Sequence, residues 1–127
     1  NPAVNITGHL VASTKSFNIP HPLQDDKRLV YGCLEGPEHG AYFRGTAKFD
    51  LAMDRMPVEL PEYWFKLVGD DYTISITPHG PYHVWVDEKL EDGFFVESSS
   101  ETDVEFDWVV IGGRKDAKIP EVEPQAP

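Results

Sequence analysis

Cys33 is the one cysteine in the 127 residues, so the chain can form no internal disulfide and no thiolate zinc site. A lone thiol does not fix the redox compartment, because a particle assembled in a cytosol and released later would also lack disulfides. Long apolar runs are missing too. The uninterrupted stretches reach only a few residues, far short of a membrane span, and no membrane insertion is expected. No basic leader followed by an apolar run opens the chain, so a targeting signal is expected to be absent or already removed. Residue 1 is Asn and not Met, which points to a fragment or processed product of something longer. Positive charge is scarce: 11 Lys plus Arg stand against 22 Asp plus Glu, for a net charge of -11. Such a surface is repelled by phosphate backbones, and no local basic cluster offsets it, so nucleic acid is set aside as a partner.

What is present suffices for a core. Hydrophobic residues make up 40% of the chain and aromatics 12%, which at 14.3 kDa fits one ordinary folded domain. Residues 1–16 are small, polar and weakly apolar, and read as an extended arm with some strand character at Val4, Ile6 and Leu10-Val11. Such a strand has no evident partner in its own chain. Residues 17–114 read as strand after strand. RLVYGCL (28–34) is the first confident strand, and the stretch 41–49 alternates, with Phe43, Gly45, Ala47 and Phe49 on one face. The loop GPEHG between them suggests a hairpin, across which Glu35 and Arg44 would pair.

Further along, Pro57 and Pro61 leave room for only a short strand at 58–60. Residues 61–67 are the one helical candidate, with Pro61 at the start and Gly69 at the end. Strands follow at 72–77, 82–87, 94–97 and 104–111, the last with Val104, Phe106, Trp108 and Val110 on one face. Residues 115–127 are polar and proline-bearing, and read as a loosely packed tail. Roughly six to eight short strands with Gly/Pro turns about every 8 to 12 residues predict an all-β fold. The expected architecture is a compact antiparallel sandwich or barrel with at most one short helix.

Chemistry finds little footing. There is no GxGxxG, P-loop, HExxH, GxSxG or EF-hand spacing, so no cofactor, metal or catalytic residue is assigned and no enzymatic activity is expected. His79 and His83 are four apart, but the prolines and glycine at 78–81 rule out a helical HxxxH pair. They could converge with His39 or Glu35 from flanking strands, or simply bond to backbone. Cys33 reads as a small buried hydrophobe inside a strand. Acid pairs such as Asp70-Asp71 and Glu91-Asp92 fall in turns, where acids face water. Tyr63, Trp64, Tyr82 and Trp85 are the candidate contacts for a receptor or a second subunit, the alternative being that most of them fill the core. Tyr82 and Trp85 have opposite strand parity, so both cannot point inward from a regular strand.

Several segments together resemble a known module. These are KSFNIPHPL (15–23), RLVYGCLEGPEHGAYFRGTAKF (28–49), LPEYW (60–64) and TISITPHGP (73–81). They follow the pattern K-x-F-x-I-x-H-P, L-V-x-x-C-x-E-G-P-E, Y-x-R-G, L-P-x-Y and I-x-x-T-P-x-G. That pattern is similar to a module in the distal parts of bacteriophage tail fibres and related virion proteins, and the resemblance covers roughly residues 15–115. It implies a structural module of a homotrimeric fibre that supports host attachment and adjoins neighbouring fibre segments. Such modules often stand just before an autocleaving chaperone of the endosialidase type. The chaperone's serine–lysine machinery is not recognisable here and is not assigned to Ser16 or Lys15. The alternative within the resemblance is an adhesin that binds a host surface glycan or protein through the Trp64 and Trp85 region. A polysaccharide-degrading enzyme with a carboxylate pair in a groove is the remotest reading.

Overall fold

A computed structural model describes residues 3–126. Eight strands and one helix follow in order: β1 (Ser16–Pro20), β2 (Arg28–Gly32), β3 (Gly40–Phe49), β4 (Met56–Glu59), α1 (Trp64–Val68), β5 (Tyr72–Pro78), β6 (Val84–Lys89), β7 (Gly93–Ser98) and β8 (Val104–Gly113). They form two three-stranded antiparallel sheets, ordered β3-β8-β5 and β4-β7-β6, and a separate hairpin of β1 and β2. The fold is an antiparallel β-sandwich with one short helix and no closed barrel.

The alternation written into residues 104–113 places β8 at the centre. Val104, Phe106, Trp108 and Val110 are buried on one face while Glu105, Asp107 and Ile111 are exposed on the other. All ten residues of β8 pair with β3, from Phe49 opposite Val104 to Gly40 opposite Gly113, and β5 pairs along its other edge. Across the core the second sheet contributes Val58 from β4 and Phe94 and Val96 from β7, with Val84 and Val86 of β6 packed at the margin. Trp108 reaches over β3 at Gly45: a Cβ there would lie 2.8 Å from the indole, so only glycine leaves room for the ring. Phe43 stacks on the same indole, with ring centroids 6.2 Å apart, and Phe94 meets it edge-on at 5.7 Å.

Helix α1 closes one end of the sandwich. Trp64, Leu67 and Val68 are its buried face, at the i, i+3, i+4 spacing that one helical turn aligns. It starts later than residue 61, because Leu60 N–H still donates to Asp92 C=O and the Pro61 carbonyl accepts from Trp64 N–H in a tight turn. Gly69 ends it with φ of 74°, a backbone conformation that suits glycine, and its N–H donates to Phe65 C=O. The inward position of β8 facing Val68 is Gly112, where a Cβ would come within 3.0 Å of both Val68 and Tyr72.

The expected hairpin between residues 28–34 and 41–49 does not form. β2 instead pairs with β1, setting Phe17 opposite Tyr31 and Ile19 opposite Leu29, so the more apolar faces of both strands coincide. His21 closes the intervening loop, its Nδ1 accepting from the N–H groups of Leu23 and Gln24 at 3.1 Å each. Strand β1 runs through Pro20. The hairpin docks on the body through side chains. Phe17 and Leu29 are buried, the Tyr31 and Tyr63 hydroxyls share a hydrogen bond, and the Arg114 guanidinium lies 3.9 Å over the Phe17 ring. Arg114 is held in turn by Asp116 at 2.9 and 2.6 Å, and Lys115 N–H donates to Leu67 C=O. The first residues of the tail are thus tied to the body. Beyond them Ile119 and Val122 are exposed.

Residues 3–15 hold no helix or strand and are exposed throughout, with Val4 at 87% and Val11 at 82% of full accessibility.

Two substitutions test this packing. A Cβ at Gly93 would overlap the Val58 carbonyl oxygen, which is backbone and cannot move aside, so Gly93→Ala should separate β4 from β7 and unfold the domain at ambient temperature. Trp64→Ala should lower the unfolding free energy by about 3–5 kcal/mol in urea titration, the range for truncating a fully buried large aromatic.

Candidate functional site

The four aromatic candidates divide between two places. Trp64 is 0% exposed, inside the core edge-on to Tyr72, and no partner can touch its ring in the folded domain. Its indole Nε1 has no hydrogen-bond acceptor among the described residues. Tyr63 is half-buried and committed to its own chain, with its hydroxyl on Tyr31 and its ring edge-on to His21. Burial and this hydrogen bond, in that order, push the Tyr31 hydroxyl well above the usual tyrosine range. Tyr82 and Trp85 are both exposed. The parity conflict between them is resolved by the start of β6 at Val84, which leaves Tyr82 in the preceding turn against Gly80, whose φ is 114°. Trp85 stands on the outer face of β6 opposite Glu97, at 42% accessibility.

Next to Trp85 the strand is irregular. The register of β6 against β7 slips between Val86 and Glu88, which turns Asp87 and Glu88 toward one cation. Arg55 bonds Asp87 at 2.8 Å and Glu88 at 3.1 Å while its guanidinium lies 3.7 Å over Phe95. The outer face of the second sheet is thus a flat arrangement of Trp85, Phe95 and a carboxylate-held arginine.

The outer face of β3-β8-β5 is different in character. It carries Arg44, Thr46, Ser75, Thr77 and Asp107 around a shallow depression of about 570 Å³. Thr46 Oγ1 donates to Asp107 Oδ1 at 2.8 Å, and His79 Nε2 lies 3.0 Å from the same oxygen with Glu105 at 3.7 Å from its Nδ1. These contacts hold the Asp107 carboxyl below the usual aspartate range; the Thr46 hydroxyl contributes most and His79 next, with Arg44 adding a smaller attraction. The hydroxyl faces the carboxylate and not the imidazole, so the trio lacks the hydroxyl–imidazole contact that activates a nucleophile. It offers a fixed set of donors and acceptors in water.

Other residues singled out in the sequence fall apart in space. His79 N–H extends the ladder to Glu105 C=O, and its ring turns to the acids of β8; the His83 carbonyl accepts from Ser98 Oγ. Among the described residues, no group of three His, Cys, Asp or Glu side chains is placed to hold a metal ion. Cys33 is exposed, not buried: β2 ends at Gly32, and Cys33 N–H donates to Lys15 C=O at the mouth of the hairpin. Glu35 does not face Arg44, because β3 belongs to another sheet and Arg44 sits opposite Val109. Glu35 instead lines a cleft of about 310 Å³ with Glu38, His39 and Arg114, where Gly113 leaves room for the Glu38 carboxylate.

One surface had no sequence counterpart. β3 is the outermost strand of its sheet, and among the described residues no other segment hydrogen-bonds its free edge. Beside its first half a groove of about 560 Å³ is bordered by Tyr31, Gly32, Cys33, Leu34, Tyr42 and Phe43. Phe43 points to the inner side and is still 37% accessible, beside this open groove.

Comparison with family models, with curated proteins and with solved structures finds no match to this chain.

The Asp107 contacts have a measurable consequence. Its folded pKa lies below the unfolded value, so the contribution to folding is present above the ordinary aspartate range and is lost as pH falls through the folded pKa. Carboxyl-detected NMR titration should find the Asp107 midpoint below that of a free aspartate, and Thr46→Val should move it upward. An unchanged midpoint would mean that the hydroxyl does not hold the carboxylate in solution.

Proposed function

We propose that this domain is a structural module of a homotrimeric bacteriophage tail fibre, holding fibre segments together in support of host attachment. The motif resemblance across residues 15–115 supports this reading, and one structural observation carries it. Residues 3–15 present Val4, Ile6, Leu10 and Val11 to solvent while packing on nothing in their own chain. An isolated soluble domain gains nothing from such an arm, whereas a chain that meets copies of itself around an axis can bury it. In this reading the partners are two further copies and the adjoining fibre segments, the location is the virion, and no chemistry is assigned to the domain.

A second reading rests on Trp85. An exposed indole on the sheet face that also carries Phe95 and a clamped arginine is a surface on which a host glycan could stack, and it makes the domain itself the adhesin. Trp64, buried at the other site, takes no part in it.

Light scattering on the full chain tests the first reading: a mass near three times 14.3 kDa is expected, and a monomer at every concentration would contradict it. Glycan-array binding that is lost in Trp85→Ala with the oligomer mass unchanged would establish the second. An array that stays silent with a well-folded trimer leaves the domain a structural part.

A further inference from the structure

We infer that the free edge of β3 is completed by the N-terminal arm of a second copy, residues 4–11 adding an antiparallel or parallel strand in the groove beside Phe43. This rests on the reading that copies of the chain assemble, and it names the contact that joins them.

The two halves of the contact are both on the molecule and both open. β3 offers a ten-residue edge with backbone donors and acceptors unpaired along it. A long uncovered edge of this kind is a template for strand addition, and proteins ordinarily shorten, charge or cover one. Here the groove beside the first half of the edge is lined by Tyr31, Gly32, Cys33, Leu34, Tyr42 and Phe43, with Arg44 as its one charged group. The arm supplies what such an edge takes. Val4, Ile6, Gly8 and Leu10 alternate with Asn5, Thr7, His9 and Val11, so one side presents apolar groups to the groove, and the β-branched residues favour an extended backbone. Eight arm residues at about 3.3 Å each span roughly 26 Å, which fits within a ten-residue strand.

Charge selects the same segment. Two bodies from chains of net charge -11 repel, but residues 3–14 contain no Asp, Glu, Lys or Arg, and residues 39–49 contain no acid. The arm can therefore approach the β3 edge without like-charge repulsion from either side. The arm leaves the hairpin at Lys15, whose carbonyl is already held by Cys33 N–H, and in the single chain both the arm and the edge remain open. Each copy giving an arm to the next is a head-to-tail contact, which closes when three copies complete a ring. Strand addition of this type draws its affinity from main-chain hydrogen bonds and its register from the side chains seated alongside.

Cys33 borders the groove and is exposed, which makes it a native probe. Alkylation of the Cys33 thiol with a maleimide is followed on the full chain, dilute and concentrated, together with the mass by light scattering. The variant Ile6→Asp/Leu10→Asp is treated in the same way; its changes lie in the arm and leave the body intact. The expected result is a rate that falls about tenfold or more as the oligomer forms, by mass action, and a variant that stays monomeric with fast alkylation throughout. A trimer whose Cys33 reacts at the monomer's rate would overturn the placement of the arm and leave the trimeric reading standing. Slow alkylation in the dilute monomer, relieved in the variant, would overturn the second copy as occupant in favour of the chain's own arm. A monomer with fast alkylation at every concentration would overturn both.

Discussion

The burial of one face of β8 is the constraint on which the rest of the domain depends. β8 pairs with β3 on one side and β5 on the other over most of its length, and its inward residues Val104, Phe106, Trp108 and Val110 run through the middle of the core. Removing them from water supplies the driving force, and the pairing of backbone groups on both edges makes that burial affordable. The glycines that look incidental in sequence follow from it. Gly45 exists where the Trp108 indole crosses β3, and Gly112 exists where helix α1 comes down on the end of the strand. The helix itself is a plug, one turn placing Trp64, Leu67 and Val68 over the open end of the two sheets.

A strand that organises both neighbours leaves the sheet with two outer edges, and the protein treats them differently. On the β5 side the chain continues through the turn Pro78-His79-Gly80-Pro81 into β6, and the two sheets approach each other. In the second sheet the β4 edge is short and carries Pro57, a residue that cannot donate to a further strand. β3 has neither defence. Its charged side chains Arg44 and Lys48 point out from the sheet face and not along the plane of the edge, and among the described residues no other segment hydrogen-bonds it. An edge left in this state matches the proposed exchange of an arm that is likewise left in solvent.

Much of the architecture was legible in the residues because local patterns dictate it. Period-two alternation in 72–78 and 104–113 marks strands whichever partners they find, and Gly69 marks the helix end because a positive φ is needed there. Partnership was not legible. The segment GPEHG has the composition of a hairpin turn, but the pairing of Phe49 with Val104 is decided by ten matched residues of β8 arriving from far along the chain, which no loop composition encodes. Burial of single aromatics was hidden for a similar reason. Trp64 stands in an irregular stretch where a surface contact and a core position are both open, and only the helical recurrence Trp64, Leu67, Val68 shows it turned inward. The residues around His79 leave open a convergent site or a backbone bond, but not that the acids at 105 and 107 alternate outward from β8 and meet it across the register. The exposure of Cys33 follows from where β1 begins, since β2 cannot extend past its partner.

The domain joins an organised centre at β8 to an open edge at β3, the edge that the arm of another copy is proposed to fill. Amide hydrogen exchange on the full chain, compared between dilute and concentrated solution, reads both at once. The slowest amides should be those of β8 in either condition, and the amides on the free side of β3 should pass from fast to slow exchange on concentration. β3 amides that exchange equally fast at both concentrations, in a solution where the oligomer has formed, would show that the copies meet elsewhere and would contradict the account.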